Sequence, residues 1–328
     1  MRARIVFVLI LCGVFASPPV RLQDTPVAPP ISGHPLVLEV ELVIAEVSVR
    51  DQHGVFRSDI DRSKFQIFDN GVYQPLVYFS SVDKPTHVAV LIETSPAVYL
   101  IQGQHVLAAY ALLDGLAVKD QVALATYDQS ARVALDFTTD RMAVTQALDG
   151  LQYFLGMGDL NFYDSLSATL VWLQKSPNKR ALVVLSTGLD SSPEPRWNEL
   201  QTELRKTDVS VFTVALGGTI RNLKSKKPAG GAEASFHRAD KALREIARMT
   251  GGQTYFPKNP DDFVAAYREI SSQLRHEYLL GYQPPPHDGK VHSIEVRVVD
   301  AHGRVIGSSV SANGFRVFSR QSYLSPEK

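Results

Sequence analysis

Four short apolar runs, His87 to Ile92, Gln121 to Tyr127, Ala181 to Ser186 and Val209 to Leu216, constrain this chain more than any other feature. Each has the length of a strand and is too continuously apolar to leave one face in water. Between them lie longer amphipathic segments such as Arg141 to Leu151, Phe162 to Gln174 and Ala239 to Met249. Doubly buried strands alternating with helices predict an α/β fold, a doubly wound and mostly parallel sheet with helices on both faces. Ala131 to Phe137 is expected as its antiparallel edge strand, and Pro260 to Glu277 as its last helix.

On either side of this core the period changes to two. Leu36 to Val49 carries Leu38, Val40, Leu42 and Ile44 on one parity and Val47 and Val49 on the other, which predicts a bulge or a strand between two surfaces. Phe65 to Phe68 and Val72 to Phe79 flank Asp69-Asn70-Gly71, residues that tolerate the positive φ of a tight hairpin. Beyond the core, Ser293 to Val298 alternates and ends in Asp300-Ala301-His302-Gly303, the same form as Asp51-Gln52-His53-Gly54 after Val49. The expectation is a small β-sandwich unit built from N- and C-terminal strands, with the α/β domain inserted between them.

At 328 residues and 45% hydrophobic content the chain can bury a sizeable core. Its 34 basic and 34 acidic residues cancel, so no global field draws it to nucleic acid. Arg2 and Arg4 before the apolar run Ile5 to Val14, with Ala16 at a cleavage position, form a signal-peptide pattern over 1–16. Leu9-Ile10-Leu11-Cys12 offers the alternative of lipid anchoring. Residues 17–35, with six prolines, read as an extended linker. The further division is a β segment 36–82, the α/β domain 83–277 and a β segment 278–328. An exported chain, periplasmic or extracellular and without a transmembrane span once processed, is expected. Cys12 is the single cysteine, so the processed chain would hold no disulfide.

Glu93-Thr94-Ser95-Pro96-Ala97, where the first core strand opens into a helix, resembles the Asp-x-Ser-x-Ser motif of von Willebrand factor type A domains. Lys64 to Gly71 resembles the phenylalanine and Asp-Gly hairpin of the VWFA-related proteins of the Acidobacteria type, and His276 to Tyr282 their Tyr-x-Leu-Gly-Tyr exit strand. Leu185 to Asp190 stands where those proteins have Ser-Asp-Gly-x-Asp. The resemblance spans about Leu36 to Phe318.

That family's adhesion site holds a divalent cation between three loops, and this chain departs from it in each. Glu93 replaces an aspartate and Ala97 a serine, Leu160 falls at a threonine position, and Thr187 replaces a second aspartate. Magnesium requires near-octahedral oxygen ligands, so no cofactor is expected. The alternative brings Asp159 or Asp190 beside Glu93 and Ser95, a set that suits Ca better than Mg. The rim is expected to comprise Glu93, Ser95, Asp159, Asn161, Thr187 and Asp190, with apolar contacts from Phe162 and Tyr163.

Other residues have plainer readings. Asp190 to Pro193 suits a turn, Asp164 a helix cap, and Gly217 to Ser235, with Arg221, Lys224, Lys226 and Lys227, a solvated basic loop or a partner-binding one. The nine histidines show no metal spacing, and there is no nucleophile elbow or phosphate loop. These patterns point to a non-catalytic, adhesion-type module that binds an unknown protein or envelope macromolecule. A structural envelope scaffold is the rival and a hydrolase the remotest alternative.

Overall fold

The computed structural model describes residues 42–327 apart from 82–84, 157, 177–178, 192–194, 224–229, 285–287 and 312–313. The signal-peptide pattern, the linker and the lysines at 224, 226 and 227 lie outside the described residues.

The chain opens with β1 (Val43–Arg50), β2 (Phe56–Arg57), β3 (Phe65–Asp69), β4 (Val72–Gln74) and β5 (Tyr78–Ser81). The α/β core follows as β6 (Thr86–Glu93), α1 (Pro96–Tyr99), α2 (Gln102–Gly115), β7 (Gln121–Tyr127), β8 (Ala131–Thr138), α3 (Arg141–Asp149) and α4 (Phe162–Leu173). It continues through β9 (Lys179–Ser186), α5 (Pro195–Lys206), β10 (Ser210–Ala215), α6 (Gly217–Leu223), α7 (Gly230–Thr250), β11 (Thr254–Tyr255) and α8 (Pro260–Arg275). Five strands close the chain: β12 (Glu277–Tyr282), β13 (Val291–Val299), β14 (Val305–Ser308), β15 (Phe315–Ser319) and β16 (Ser322–Leu324).

The core is a mixed sheet in the order β11-β10-β9-β6-β7-β8, parallel except for β8, which lies antiparallel at the edge. Its central strand β6 is buried throughout. Val88, Val90 and Ile92 point into one apolar layer with residues of α2, α3 and α8, and Ala89 and Leu91 into the other with residues of α4, α5 and α7. That alternation follows from the pleat, and it explains why the run is apolar at every position. Each fully buried Leu or Ile contributes about 1.5–3 kcal/mol.

The terminal strands pair with one another. β1 runs antiparallel to both β12 and β15, and β3 antiparallel to β13, in one sheet of ten strands. β1 does pass between two surfaces: Ala45, Val47 and Val49 enter the core of this sheet, while Ile44 and Glu46 face the α/β part. The β3-β4 hairpin turns on Asn70 and Gly71 with φ of 48° and 79°, the left-handed conformation that its sequence anticipated. Asp69 of that hairpin is buried and accepts the hydroxyls of Tyr282 at 2.8 Å and Tyr323 at 2.9 Å. The hairpin and the exit strand, far apart in sequence, therefore share one hydrogen-bond network. Gly281 lets β5 approach β12, since a Cβ there would meet Tyr78 Cβ at 2.8 Å. The two Asp-x-His-Gly turns are alike in detail: Asp51 Oδ1 accepts the amides of His53 and Val55, and Asp300 Oδ1 those of His302 and Arg304.

One expectation needs correction here. Gly217 to Ser235 is not a loop over its described length: α6 occupies its start and α7 begins at Gly230. Arg221 joins the two helices, its guanidinium 5.0 Å from the Phe236 ring centre and 3.3 Å from Asp240. Such a tertiary contact overrides the weak helix propensity of paired glycines.

Candidate functional site

Parallel register sets the site. Glu93 ends β6 beside Ser186 at the end of β9, and its other neighbour is Tyr127 at the end of β7. Three strand ends thus meet at the C-terminal edge of the sheet, where the chain leaves for its helices. Glu93 is 0% exposed.

Both carboxylate oxygens of Glu93 are occupied by donors from the protein itself. Oε1 accepts Ser95 Oγ at 2.7 Å and lies 3.1 Å from Thr187 Oγ1. Oε2 accepts the Thr187 amide at 2.7 Å, Thr187 Oγ1 at 2.9 Å and the Tyr127 hydroxyl at 3.0 Å, with Ser186 Oγ at 3.3 Å. A second row supports these donors. Ser186 Oγ lies 2.7 Å from the Tyr127 hydroxyl and accepts the Gly188 amide at 2.7 Å. A buried carboxylate without such partners would cost several kcal/mol, so the neutral donors are what make its burial tolerable.

Burial raises the Glu93 carboxyl above its ordinary range, opposed by the hydrogen bonds from Ser95, Thr187 and Tyr127. Burial also pushes the Tyr127 phenol well up, reinforced by the neighbouring Glu93 charge, so it stays a donor. Ser95 sits at the N-cap of α1 but makes no side-chain cap bond, because its hydroxyl turns to Glu93. Among the described residues no three His, Cys, Asp or Glu side chains cluster in a way that could hold a metal ion.

The structure thus brings Glu93, Ser95 and Thr187 together and adds Tyr127 and Ser186, which the sequence reading missed. Tyr127 is signalled only by closing a buried strand, and Ser186 by that and by its place in the Leu185 to Asp190 stretch. Asp190 and Asn161 form a neighbouring group at the start of α4. Asp190 Oδ2 accepts the Tyr163 amide at 2.7 Å, and Asn161 Nδ2 donates to the Gln129 carbonyl at 2.9 Å. Asp190 therefore serves the helix start, whereas Asp164, expected there as a cap, pairs with Arg196 at 2.9 Å. Asp159 is exposed on the preceding loop and does not join Glu93. Leu160 and Ser191 bind the two loops together through Leu160 N to Ser191 Oγ at 3.1 Å and Ser191 N to the Leu160 carbonyl at 2.8 Å.

The apolar rim also differs from expectation. Phe162 is 0% exposed and packs on Tyr127 with ring centres 5.7 Å apart, because it opens the buried face of α4. The exposed apolar side chains near Ser95 are Tyr99, Leu100, Phe154 and Leu155, at 42%, 63%, 41% and 61% exposure. The Phe154 amide donates to the Thr94 carbonyl at 2.9 Å, which fixes the second loop against the first.

The family model of the von Willebrand factor type A domain matches residues 88–269. A UPF0353 protein of Nocardia farcinica is 25% identical over 185 residues, 52% of this chain and 55% of that protein. The chain thus spans about half the length of this curated relative. Among solved structures, a von Willebrand factor type A protein from Catenulispora acidiphila is similar with a TM-score of 0.45 and 11% identity, covering 82% of this chain and 72% of the other. The PilB minor pilin of Streptococcus sanguinis is similar with a TM-score of 0.45 and 12% identity, over 59% and 62% of the two chains. The von Willebrand factor domain of the type V pili tip protein Mfa5 from Porphyromonas gingivalis has a TM-score of 0.44 and 11% identity, over 59% and 96%.

Proposed function

The chain belongs to the von Willebrand factor type A domain family, and we propose that it is an exported, non-catalytic module that binds a macromolecular partner at the C-terminal edge of its sheet without a cation. The observation that carries this reading is the internal occupation of Glu93. Its lone pairs already face Ser95, Tyr127 and the Thr187 hydroxyl and amide. A magnesium ion would have to displace these donors and would then find one carboxylate where it needs a near-octahedral oxygen set. Thr187 has the opposite polarity to the aspartate it replaces, a donor where a second carboxylate would repel Glu93.

Contact with the partner then falls to the rim. Tyr99, Leu100, Phe154 and Leu155 supply exposed apolar surface, with the polar edge of Ser95, Asp159, Asn161 and Asp190 around it and Thr187 buried beneath. The domain division behind this reading is 36–82, 83–277 and 278–328, with the flanking strands forming one sheet around a core of Val47, Ile67 and Tyr278. The N-terminal pattern over 1–16 supports export. No described helix is long and apolar enough to cross a membrane.

Two measurements test the reading. Calorimetry of the full chain with magnesium and with calcium should show no saturable heat, and millimolar binding lost on Ser95→Ala would overturn the cation-free site. Capture from an envelope fraction should lose its specific partner in a Leu100→Asp, Leu155→Asp variant. Equal recovery by wild type and variant would favour the scaffold.

A further inference from the structure

At the other end of the core sheet lies a cavity of about 450 Å³, bounded by β1, β12 and the first residues of β9 and β10. That volume is in the range of small-molecule sites, roughly 300–1,000 Å³. Its wall holds Glu46, Lys179, Arg180, Asp208, Ser210 and Arg320. Charges on a partly buried wall favour partners, and tracing them pair by pair shows which group lacks one.

Lys179 is paired with Glu277 and donates to the Leu274 carbonyl at 2.9 Å. Arg180 is paired with Asp208 and donates to the carbonyls of Gln174 and Ser176 at 2.9 and 2.8 Å. Arg320 donates only to carbonyls, Nε to Ser322 at 3.2 Å and Nη2 to Arg205 at 2.9 Å, and has no ion-pair partner among the described residues. Glu46 accepts Ser210 Oγ on Oε2 at 2.9 Å, and its Oε1 has no hydrogen-bond partner among the described residues. Burial, and then the charge of Glu277, push the Glu46 carboxyl up to about 8, so at neutral pH it is largely a neutral acid that can both donate and accept. The wall therefore presents one guanidinium without an ion pair, Arg320, which feels the charge of Asp208 only at longer range, together with a hydrogen-bonding pair, Glu46 and Ser210.

We propose that this cavity binds a small hydroxy-carboxylate, its carboxylate on Arg320 and its hydroxyl on Glu46 and Ser210. One net positive charge suits a monoanion, whereas an amino acid would bring an ammonium that requires Glu46 to ionise. A dianion would exceed the single free cation. The cavity is independent of the rim around Glu93, since it lies at the N-terminal ends of strands whose C-terminal ends form that rim.

Titration calorimetry of the full chain near neutral pH with lactate, propionate and glycine tests this. Lactate should bind saturably, propionate at least about tenfold more weakly and glycine more weakly still. Arg320→Gln should weaken lactate by about tenfold or more, the loss expected for a charge-assisted bond. Glu46→Ala should bring lactate down to the propionate level. Because Arg320 also holds two carbonyls, lactate-induced amide shifts in the wild-type chain give a fold-independent check: they should centre on Ser210 and Leu279 and leave Ser95 unmoved. Absence of saturable lactate binding, glycine binding as tight as lactate, retention in a folded Arg320→Gln variant, or shifts centred elsewhere would each overturn the proposal.

Discussion

The two ends of the core sheet bury carboxylates in opposite ways. At the C-terminal edge Glu93 stands alone among neutral donors, two serines, a threonine and a tyrosine. At the N-terminal end Glu277 is held by the Lys179 ammonium, and Glu46 shares the same neighbourhood. Hydroxyls can be lost one at a time, each for a modest penalty, whereas an ion pair stands or falls with either partner. The first arrangement therefore loosens in steps. The second ties the core sheet to the flanking strands, because Lys179 belongs to β9 and Glu277 to β12.

The comparison breaks most readily at Lys179. Lys179→Met leaves Glu277 buried without its cation and should cost about 3–5 kcal/mol. Urea denaturation measures it, and a loss below about 1 kcal/mol, the size of an exposed pair, would mean that the junction is solvated. Thr187→Val keeps the amide donor to Glu93 and removes the hydroxyl, with an expected loss of about 1–3 kcal/mol in the same assay. A loss as large as that of Lys179→Met would show that the neutral donors act as one unit rather than singly.

Acidity sharpens the comparison with an effect spread over a pH window, small within any one unit of it. Glu46 has a folded value of about 8 against an ordinary 4.5, so between those pH values the folded chain keeps a proton that the unfolded chain has released. Its contribution to stability is therefore fullest below about 4.5 and declines as pH rises towards 8. Glu46→Gln removes that linkage and should flatten the dependence of unfolding free energy on pH by up to about 1.4 kcal/mol per unit. Denaturant curves across the window measure this, and an unchanged slope would assign the titration to another group.

Much of the architecture was legible because its signals are local. The apolar runs became β6, β7, β9 and β10, and the period-two flanks became strands. The second of the two helices after β10 was read late. Gly230 and Gly231 look like a loop, and the contacts that tie α6 to α7, Arg221 with Phe236 and Asp240, cross a gap that no local pattern bridges. Phe162 was misplaced for a related reason. An aromatic residue beside a polar loop suits a rim as well as a core, and the direction of α4 decided it.

Most of the strand and helix pattern, the Asn70-Gly71 hairpin, both Asp-x-His-Gly turns and the replacement of aspartates by Glu93 and Thr187 can be read from the amino-acid order alone. What those two residues do depends on the folded arrangement. Glu93 and Thr187 are 94 positions apart, and the Tyr127 hydroxyl reaches Glu93 from 34 positions away. Turn and strand preferences act through neighbouring backbone dihedrals and are written in short stretches of residues. A hydroxyl's choice of acceptor depends on which strands lie side by side and in what register, and no local pattern encodes that.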